Sequence, residues 1–389
     1  MIAKRIDVLS ESLTIAITTL AREMKANGQD VLSFSAGEPD FGTPDVIKNA
    51  AIEAIKEGNS TYTAVPGTPE VLKAIQTKLK NENNLKYDVT DIITNVGAKH
   101  SLFNIFQVLL NSGDEVIIPA PYWVTYPEIV KYSDGVPVYI ETSDESEFKI
   151  TPKQLKNAIT NKTKALVLNT PSNPTGSVYT KEELEGLAEV LKGTDIIVLS
   201  DEMYEKILFD GLKFTSVASI SDDMFKRTIT INGLSKSVAM TGWRFGYMAT
   251  PMKEITAAVK KLQSQSTSNI NAITQKASIP ALLGEANNDI EMMRKEFEKR
   301  RDIAIEMFNA IEGLSVVKPS GAFYLYVNFK QITNDSVEFC KKLLAEKGVA
   351  TVPGIGFGAE GYLRFSFATD QKSIIEGINR IEDFVKNYK

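Results

Sequence analysis

From about residue 91 to residue 250, short apolar runs alternate with longer stretches whose apolar positions recur at helical spacing. Asp91–Asn95, Glu115–Ile118, Val136–Ile140, Ala165–Leu168, Ile196–Leu199, Thr228–Ile231 and Gly246–Thr250 read as strands. They are short, rich in β-branched residues and bounded by turn formers. Helices are predicted from about Ala98 to Leu110 and from Thr180 to about Leu191, the second opened by a Thr180/Glu183 capping box. Apolar strands alternating with amphipathic helices predict an α/β fold with a mainly parallel sheet covered by helices on both faces.

The pattern differs at the two ends. The first residues read as an arm and a short helix ending near Gly28; VLSFSAGEPDFGTP then starts as a strand and becomes a loop. Thr43-Pro44 and Thr68-Pro69 each open a helix with proline at its first position, and Gly58 closes the first of these. Beyond residue 252 a long helical stretch is predicted to continue past Gly284 into EMMRKEFEKRRDIAIEMFNAI. Strands follow at Phe323–Asn328 and Tyr362–Ala368, with a helix opened by Asp335 and Glu338 between them. This reads as a smaller α+β domain. The expected division is a large domain over residues 45–285, with residues 1–44 and 286–389 forming an arm and the small domain.

Composition narrows the function. The chain has 389 residues, 43% hydrophobic and 24% charged, with a net charge of −5. An acidic balance argues against non-specific nucleic-acid binding, and no partner of that kind is expected. A local positive site for a small anion stays open. Cys340 is the only cysteine, so no intrachain disulfide can form, and its place on an apolar helical stripe predicts a core role. His100 is the only histidine, which argues against a Ser-His-Asp triad and a multi-histidine metal site; no metal is expected. No apolar run is long enough to span a membrane and the N-terminus has no secretory pattern, so a cytoplasmic location is expected.

The candidate chemistry centres on INGLSKSVAMTGWRFGY, residues 231–247. Lys236 lies on a turn just after the Thr228–Ile231 strand, and Arg244 follows eight positions later between Gly242 and Gly246. A lysine at a strand end of an α/β fold can form a Schiff base if its surroundings lower its pKa. A surface lysine beside a glycine-rich loop is the plain alternative. Other polar groups also fall just after strands: Asn173 in NTPSNPTG, and Asp201 and Tyr204 in SDEMYEK. NVGAKHS leaves backbone N–H groups of Ala98 and Lys99 free at a helix N-terminus, an anion site. Lys99 there opposes the helix dipole, which a negative ligand would offset. Arg244 could supply a second positive contact.

Each residue alone has another reading. Asp201 could cap a helix, Asn173 could shape a turn, and Tyr204 and Trp123 could be core aromatics. Lys99 could be solvated, and Arg244 could sit in a structural ion pair. Taken together, a Schiff-base lysine, an anion site and an aspartate for a protonated pyridine nitrogen describe pyridoxal phosphate.

SNPTG, SDEMYE and SKSVAMTGWRFGY resemble the motifs of fold type I pyridoxal-phosphate aminotransferases. AGEPDF, YTAVPGTPE, PYWVTYPE and YLRFSFA are similar to that family as well, so the resemblance covers nearly the whole chain. It is strongest to the bacterial aspartate aminotransferase subgroup, which carries GWR after the lysine. The resemblance implies that Lys236 would hold the cofactor and act as the proton-transfer base. Asp201 would pair with the pyridine nitrogen, and Tyr204 and Asn173 would bond the phenolic oxygen. Trp123 would stack on the ring. Ala98, Lys99, Ser235 and Arg244 would hold the phosphate. Tyr62 would reach the phosphate of a neighbouring subunit, which implies a homodimer with shared sites. Arg364 and Gly37 would bind the substrate's α-carboxylate, with Asn173 and Trp123 beside it. The implied reaction moves an amino group from an L-amino acid to 2-oxoglutarate.

Two departures bear on the substrate. Enteric and animal aspartate enzymes bind the distal carboxylate with an arginine from the partner subunit, and KLQSQSTSN has none; the bacterial subgroup uses a lysine at the place of Lys99. The family's serine three positions before the lysine is Gly233. The alternatives are a preference for aromatic amino acids or prephenate, a C–S lyase on the same fold, and an effector-binding regulatory module. No G-x-G-x-x-G follows the first strand, which argues against a nicotinamide dehydrogenase.

Overall fold

The computed structural model describes residues 2–11 and 13–388. Its strands are β1 (Leu32–Ser33), β2 (Ile92–Val96), β3 (Glu115–Ala120), β4 (Val136–Glu141), β5 (Thr163–Asn169), β6 (Ile197–Asp201), β7 (Thr228–Gly233), β8 (Phe245–Ala249), β9 (Ser315–Val316), β10 (Tyr324–Asn328), β11 (Val349–Ala350), β12 (Val352–Pro353) and β13 (Tyr362–Ser366). The α-helices are α1 (Leu13–Ala26), α2 (Asp45–Lys56), α3 (Pro69–Asn83), α4 (Ala98–Leu109), α5 (Thr125–Tyr132), α6 (Pro152–Ala158), α7 (Lys181–Leu191), α8 (Asp222–Arg227), α9 (Lys253–Ser264), α10 (Ala272–Leu282), α11 (Asn287–Asn309), α12 (Ser336–Lys347) and α13 (Gln371–Lys386).

The central sheet has seven strands in the order β2-β8-β7-β6-β5-β3-β4. Successive residues of its strands bury into opposite layers. Val116 and Ile118 pack with Leu102, Ile105 and Phe106 of α4, whereas Ile117 packs with Leu184, Leu187 and Leu191 of α7. Both faces are therefore dry, which is why these strands read as continuous apolar runs. A second sheet, β12-β13-β10-β9, is antiparallel. The two-residue β1 pairs in parallel with β11, tying the N-terminal segment to the elements after α11.

The sheet is mainly parallel as expected; the structure adds one detail to it and corrects two other expectations. First, the series of strands does not end in parallel: β8 runs antiparallel to both β7 and β2. The eleven residues between β7 and β8 contain no crossover helix, and parallel neighbours need one. Second, the long helical stretch after residue 252 is three helices. Residues 265–271 break it after α9, and Gly284, at φ +89°, ends the segment before α11. Third, Pro44 caps α2 from outside rather than occupying its first position, while Pro69 does open α3 behind the Thr68 cap. The Thr180/Glu183 box and the Asp335 cap form as predicted.

Candidate active site

Parallel pairing puts the carboxyl ends of β3, β5, β6 and β7 on one edge of the sheet, and the loops that leave this edge meet in one cavity. The reversal of β8 matters here. Because β8 starts where β7 ends, it delivers Arg244 to that same edge from its amino end. The cavity measures about 310 Å³ and is lined by Gly37, Ala98, Lys99, Trp123, Tyr126, Asn169, Asn173, Asp201, Met203, Tyr204, Ser235, Lys236, Thr241, Arg244, Tyr324 and Arg364.

Lys236 leaves the turn after β7 and its Nζ donates to the carbonyl oxygen of Gly37. Burial pulls its pKa down to about 8, Glu38 and Asp201 opposing the shift and Arg364 and Arg244 adding to it. Asp201 ends β6 and is followed by a turn, so it caps no helix. Its Oδ2 accepts from the Tyr126 hydroxyl at 2.7 Å and its Oδ1 from the Met203 N–H at 3.3 Å. Burial raises its pKa, and these donors work against that shift by stabilising the carboxylate.

Across the cavity, Arg364 is 2% exposed on β13. It lies over the Tyr324 ring at 4.5 Å, a diagonal neighbour on the antiparallel partner strand. Its Nη1 donates to Asn173 Oδ1 at 3.0 Å and its Nη2 to the Ser35 carbonyl at 2.7 Å, while its buried Nε has no partner. The Tyr204 and Tyr324 hydroxyls are 2.8 Å apart. Lys99 places its Nζ 5.0 Å from the Trp123 ring, with a pKa lowered by burial and by the charge of Arg244.

Two glycines make room for an anion between these groups. Gly97, at φ +75°, caps α4, and a Cβ there would meet Arg244 Nη2 at 2.5 Å. A Cβ at Gly246 would collide with the backbone at Gly97 and Ala98. Small residues thus let Arg244 close over the free N–H groups at the start of α4. Arg244 itself sits at φ +58° and donates from Nη1 to the Thr241 carbonyl at 2.8 Å.

One electrostatic fact summarises the site. Its charged lining is Lys99, Lys236, Arg244 and Arg364 against Asp201 alone, and none of the ion pairs among the described residues involves any of those four cations. Uncompensated cations in a cleft are stabilised by an anionic ligand. A lysine of lowered pKa, an aspartate for a ring nitrogen and an N-terminal anion cradle fit pyridoxal phosphate.

The sequence-derived residues therefore converge, with Tyr62 outside the cavity: it is 91% exposed on the loop after α2. Five lining residues, Tyr126, Asn169, Met203, Thr241 and Tyr324, were not singled out in the sequence. Tyr126 lies in the quoted motif PYWVTYPE, and its hydroxyl could be assigned only once α5 was seen against β6. Asn169, whose Oδ1 accepts from the Asn173 N–H at 2.8 Å, carried only its place at a strand end. Tyr324 is hidden in an apolar strand. Cys340 is buried, with its Sγ accepting from the Thr351 hydroxyl at 3.4 Å, away from the site.

The fold and this cavity define the class as pyridoxal-phosphate-dependent transferases built on an α/β sheet with a smaller antiparallel partner. The family model for aminotransferase class I and II matches residues 29–381. An aspartate aminotransferase of Bacillus sp. strain YM-2 is 49% identical over 99% of both chains. A probable aspartate/prephenate aminotransferase of Aquifex aeolicus is 44% identical over 98% of both. The structure of Thermus thermophilus aspartate aminotransferase with maleate superposes with a TM-score of 0.95 at 40% identity, covering 98% of this chain and 99% of that one. The chain belongs to the class I and II aminotransferases, and its reaction is a transamination that uses pyridoxal phosphate.

Proposed function

We propose that the chain transfers the amino group of L-aspartate to 2-oxoglutarate. The observation that carries this reading is the cavity's surplus of cations, four against one carboxylate. Aspartate and 2-oxoglutarate both bring two carboxylates, and the cofactor brings a phosphate. Three anionic groups match three cations once Lys236 is reserved for chemistry.

Arg364 takes the α-carboxylate, since its Nε and the unused Nη hydrogens form a planar fork that a lysine cannot reproduce. Gly37, with Asn173 and Trp123, frames the same end of the substrate. Lys99 takes the distal carboxylate beside Trp123. Arg244, Ser235 and the amides of Ala98 and Lys99 hold the phosphate, Asp201 the pyridine nitrogen, and Tyr204 and Asn173 the phenolic oxygen. Pyridoxal phosphate supplies an electron-withdrawing ring that makes the substrate's α-proton acidic. Lys236 Nζ, its charged form disfavoured by burial, accepts that proton and later returns it. Tyr126 and Met203 keep Asp201 in its acceptor form throughout.

The same reading makes the protein a cytoplasmic homodimer in which Tyr62 reaches the phosphate site of a second copy. Its exposure supports this, because a tyrosine that bare is unusual away from a contact. The chain also divides near residues 45 and 285, with Arg364 on one side and Lys236 on the other.

A preference for aromatic substrates or prephenate is the second reading, favoured by the Trp123 face beside Lys99 and by the Aquifex relative's name. Lys99→Ala separates the two. We expect it to raise KM for aspartate about tenfold or more, the scale of one lost charge-assisted hydrogen bond, and to leave KM for phenylalanine nearly unchanged. An equal effect on both substrates would remove Lys99 from the distal-carboxylate role.

A further inference from the structure

The loop that carries Tyr62 combines two features that rarely occur together. Its tip is bare, yet its following backbone is fixed by buried side chains. Exposed loop tips of polar residues are ordinarily among the least ordered parts of a fold.

Two glutamines account for the difference. Gln263, at the end of α9, is 0% exposed, and its Nε2 donates to the Val65 carbonyl at 2.9 Å and to the Thr94 carbonyl at 3.1 Å. Its Oε1 accepts from Asn95 Nδ2 at 2.7 Å and Asn104 Nδ2 at 3.2 Å. Asn95 Oδ1 in turn accepts from the Ser101 hydroxyl, in the first turn of α4, at 2.7 Å. Gln275, on α10, is also 0% exposed; its Nε2 donates to Thr63 Oγ1 at 2.9 Å and its Oε1 accepts from the Thr68 N–H at 2.7 Å. Between these anchors the Pro66 carbonyl accepts from the Thr94 N–H at 2.8 Å. Gly67, at φ +126°, is pressed so closely on Thr94 that a Cβ would come within 3.0 Å of its hydroxyl.

All four N–H groups of the two glutamine amides are used, the last of them donated by Gln275 to the Ile270 carbonyl at 3.0 Å, just before α10. A buried amide whose N–H groups are all bonded specifies one geometry, because any shift leaves a buried donor unpaired. The geometry so fixed relates two things: the segment after Tyr62 and the first turn of α4, where the anion cradle lies.

We propose that Gln263 and Gln275 are positioning residues for cofactor retention, holding the Thr63–Thr68 segment in register with α4 so that Tyr62 is presented to a second copy already ordered. The inference rests on the proposed role of Tyr62. Preorganisation is the physical gain: a loop that is already ordered loses no backbone freedom at the moment of contact. Neither glutamine touches the cavity, so both act through the loop.

The test measures how fast the loaded full-length protein loses pyridoxal phosphate on dilution, read from the cofactor's visible absorbance. Tyr62→Phe is expected to lose it about tenfold faster, the equivalent of one charge-assisted hydrogen bond. Gln263→Met and Thr63→Val should each speed the loss severalfold. Thr63→Val guards against misfolding of the buried variant, since it removes only the partly exposed hydroxyl bonded to Gln275. Adding either change to Tyr62→Phe should then alter the rate less than twofold, because the loop no longer has a bond to present. Rates that multiply in the double variants, or single variants with wild-type rates, would overturn the positioning role while leaving that of Tyr62 intact. A wild-type rate in Tyr62→Phe itself would overturn the proposed role of Tyr62, and this inference with it.

Discussion

Lys236 shows how much of a residue's chemistry is set by its surroundings. An exposed lysine titrates near 10.4; burial here brings the value to about 8, even with Glu38 and Asp201 pulling the other way. Below that value the charged amine is held in a poorly solvated place, so the penalty is present at low pH and is relieved as pH rises from about 8 towards the unfolded value. The reactive free amine of the folded protein should appear around the folded value itself, between about pH 7 and pH 9. The rate of pyridoxal phosphate uptake by the cofactor-free protein is therefore expected to rise about fivefold from pH 7 to pH 8 and to level off above about pH 9, as a single titration near 8 requires. Stopped-flow absorbance would measure it; a rise continuing to pH 10 would mean that Lys236 is not desolvated. The neighbouring residues were legible to different degrees. Lys236, Asp201 and Asn173 follow strands, and strand ends can be read from apolar runs. Tyr126 acts on the Asp201 carboxylate and Asn169 on the backbone at Asn173 and Asp201, and nothing in their own sequence positions says so.

At the scale of elements, β6 ends on Asp201 and the turn after it carries Tyr204, and that turn is anchored from behind. Lys78 on α3 forms a buried ion pair with Glu205, while Asn83 Nδ2 donates to the other carboxylate oxygen at 2.7 Å. Burial alone would raise the Glu205 pKa, but the charge of Lys78 and these hydrogen bonds outweigh it and lower it. Lys78→Met should cost about 3–5 kcal/mol of stability, because it strands a buried carboxylate. The double variant Lys78→Met with Glu205→Leu should recover most of that loss. Urea unfolding would measure both, and a loss below about 1 kcal/mol in the single variant would show that water reaches Glu205. The element boundaries were readable where a local signal existed, as at the Thr180 and Asp335 caps. The reversal of β8 was not readable. Strand direction depends on how the intervening chain returns, and an apolar run looks the same either way.

For the whole molecule, the proposed exchange of Tyr62 makes each cavity incomplete in a lone chain. Co-expression tests this directly. Lys236→Ala removes the amine of its own site, and Tyr62→Phe weakens the site of its partner. In a mixed dimer one cavity combines an intact Lys236 with an intact Tyr62. That dimer should retain pyridoxal phosphate in about half its sites at the wild-type loss rate, by simple counting of shared sites. Retention no better than in the Tyr62→Phe protein alone would argue for self-contained sites.

The sequence by itself determined the local things. Alternating apolar runs specified a sheet buried on both faces, caps and prolines specified where helices begin, and polar residues after strands marked the catalytic edge. These are settled by neighbours a few positions apart. The tertiary structure alone decided which groups meet. Arg364 lies more than a hundred positions beyond Lys236, yet β13 and the turn after β7 place both on one cavity. Gly97 and Gly246 matter only because β2 and β8 are adjacent. The pairing of distant segments is fixed by packing and by the satisfaction of buried polar groups, and these are properties of the whole fold rather than of any stretch of it.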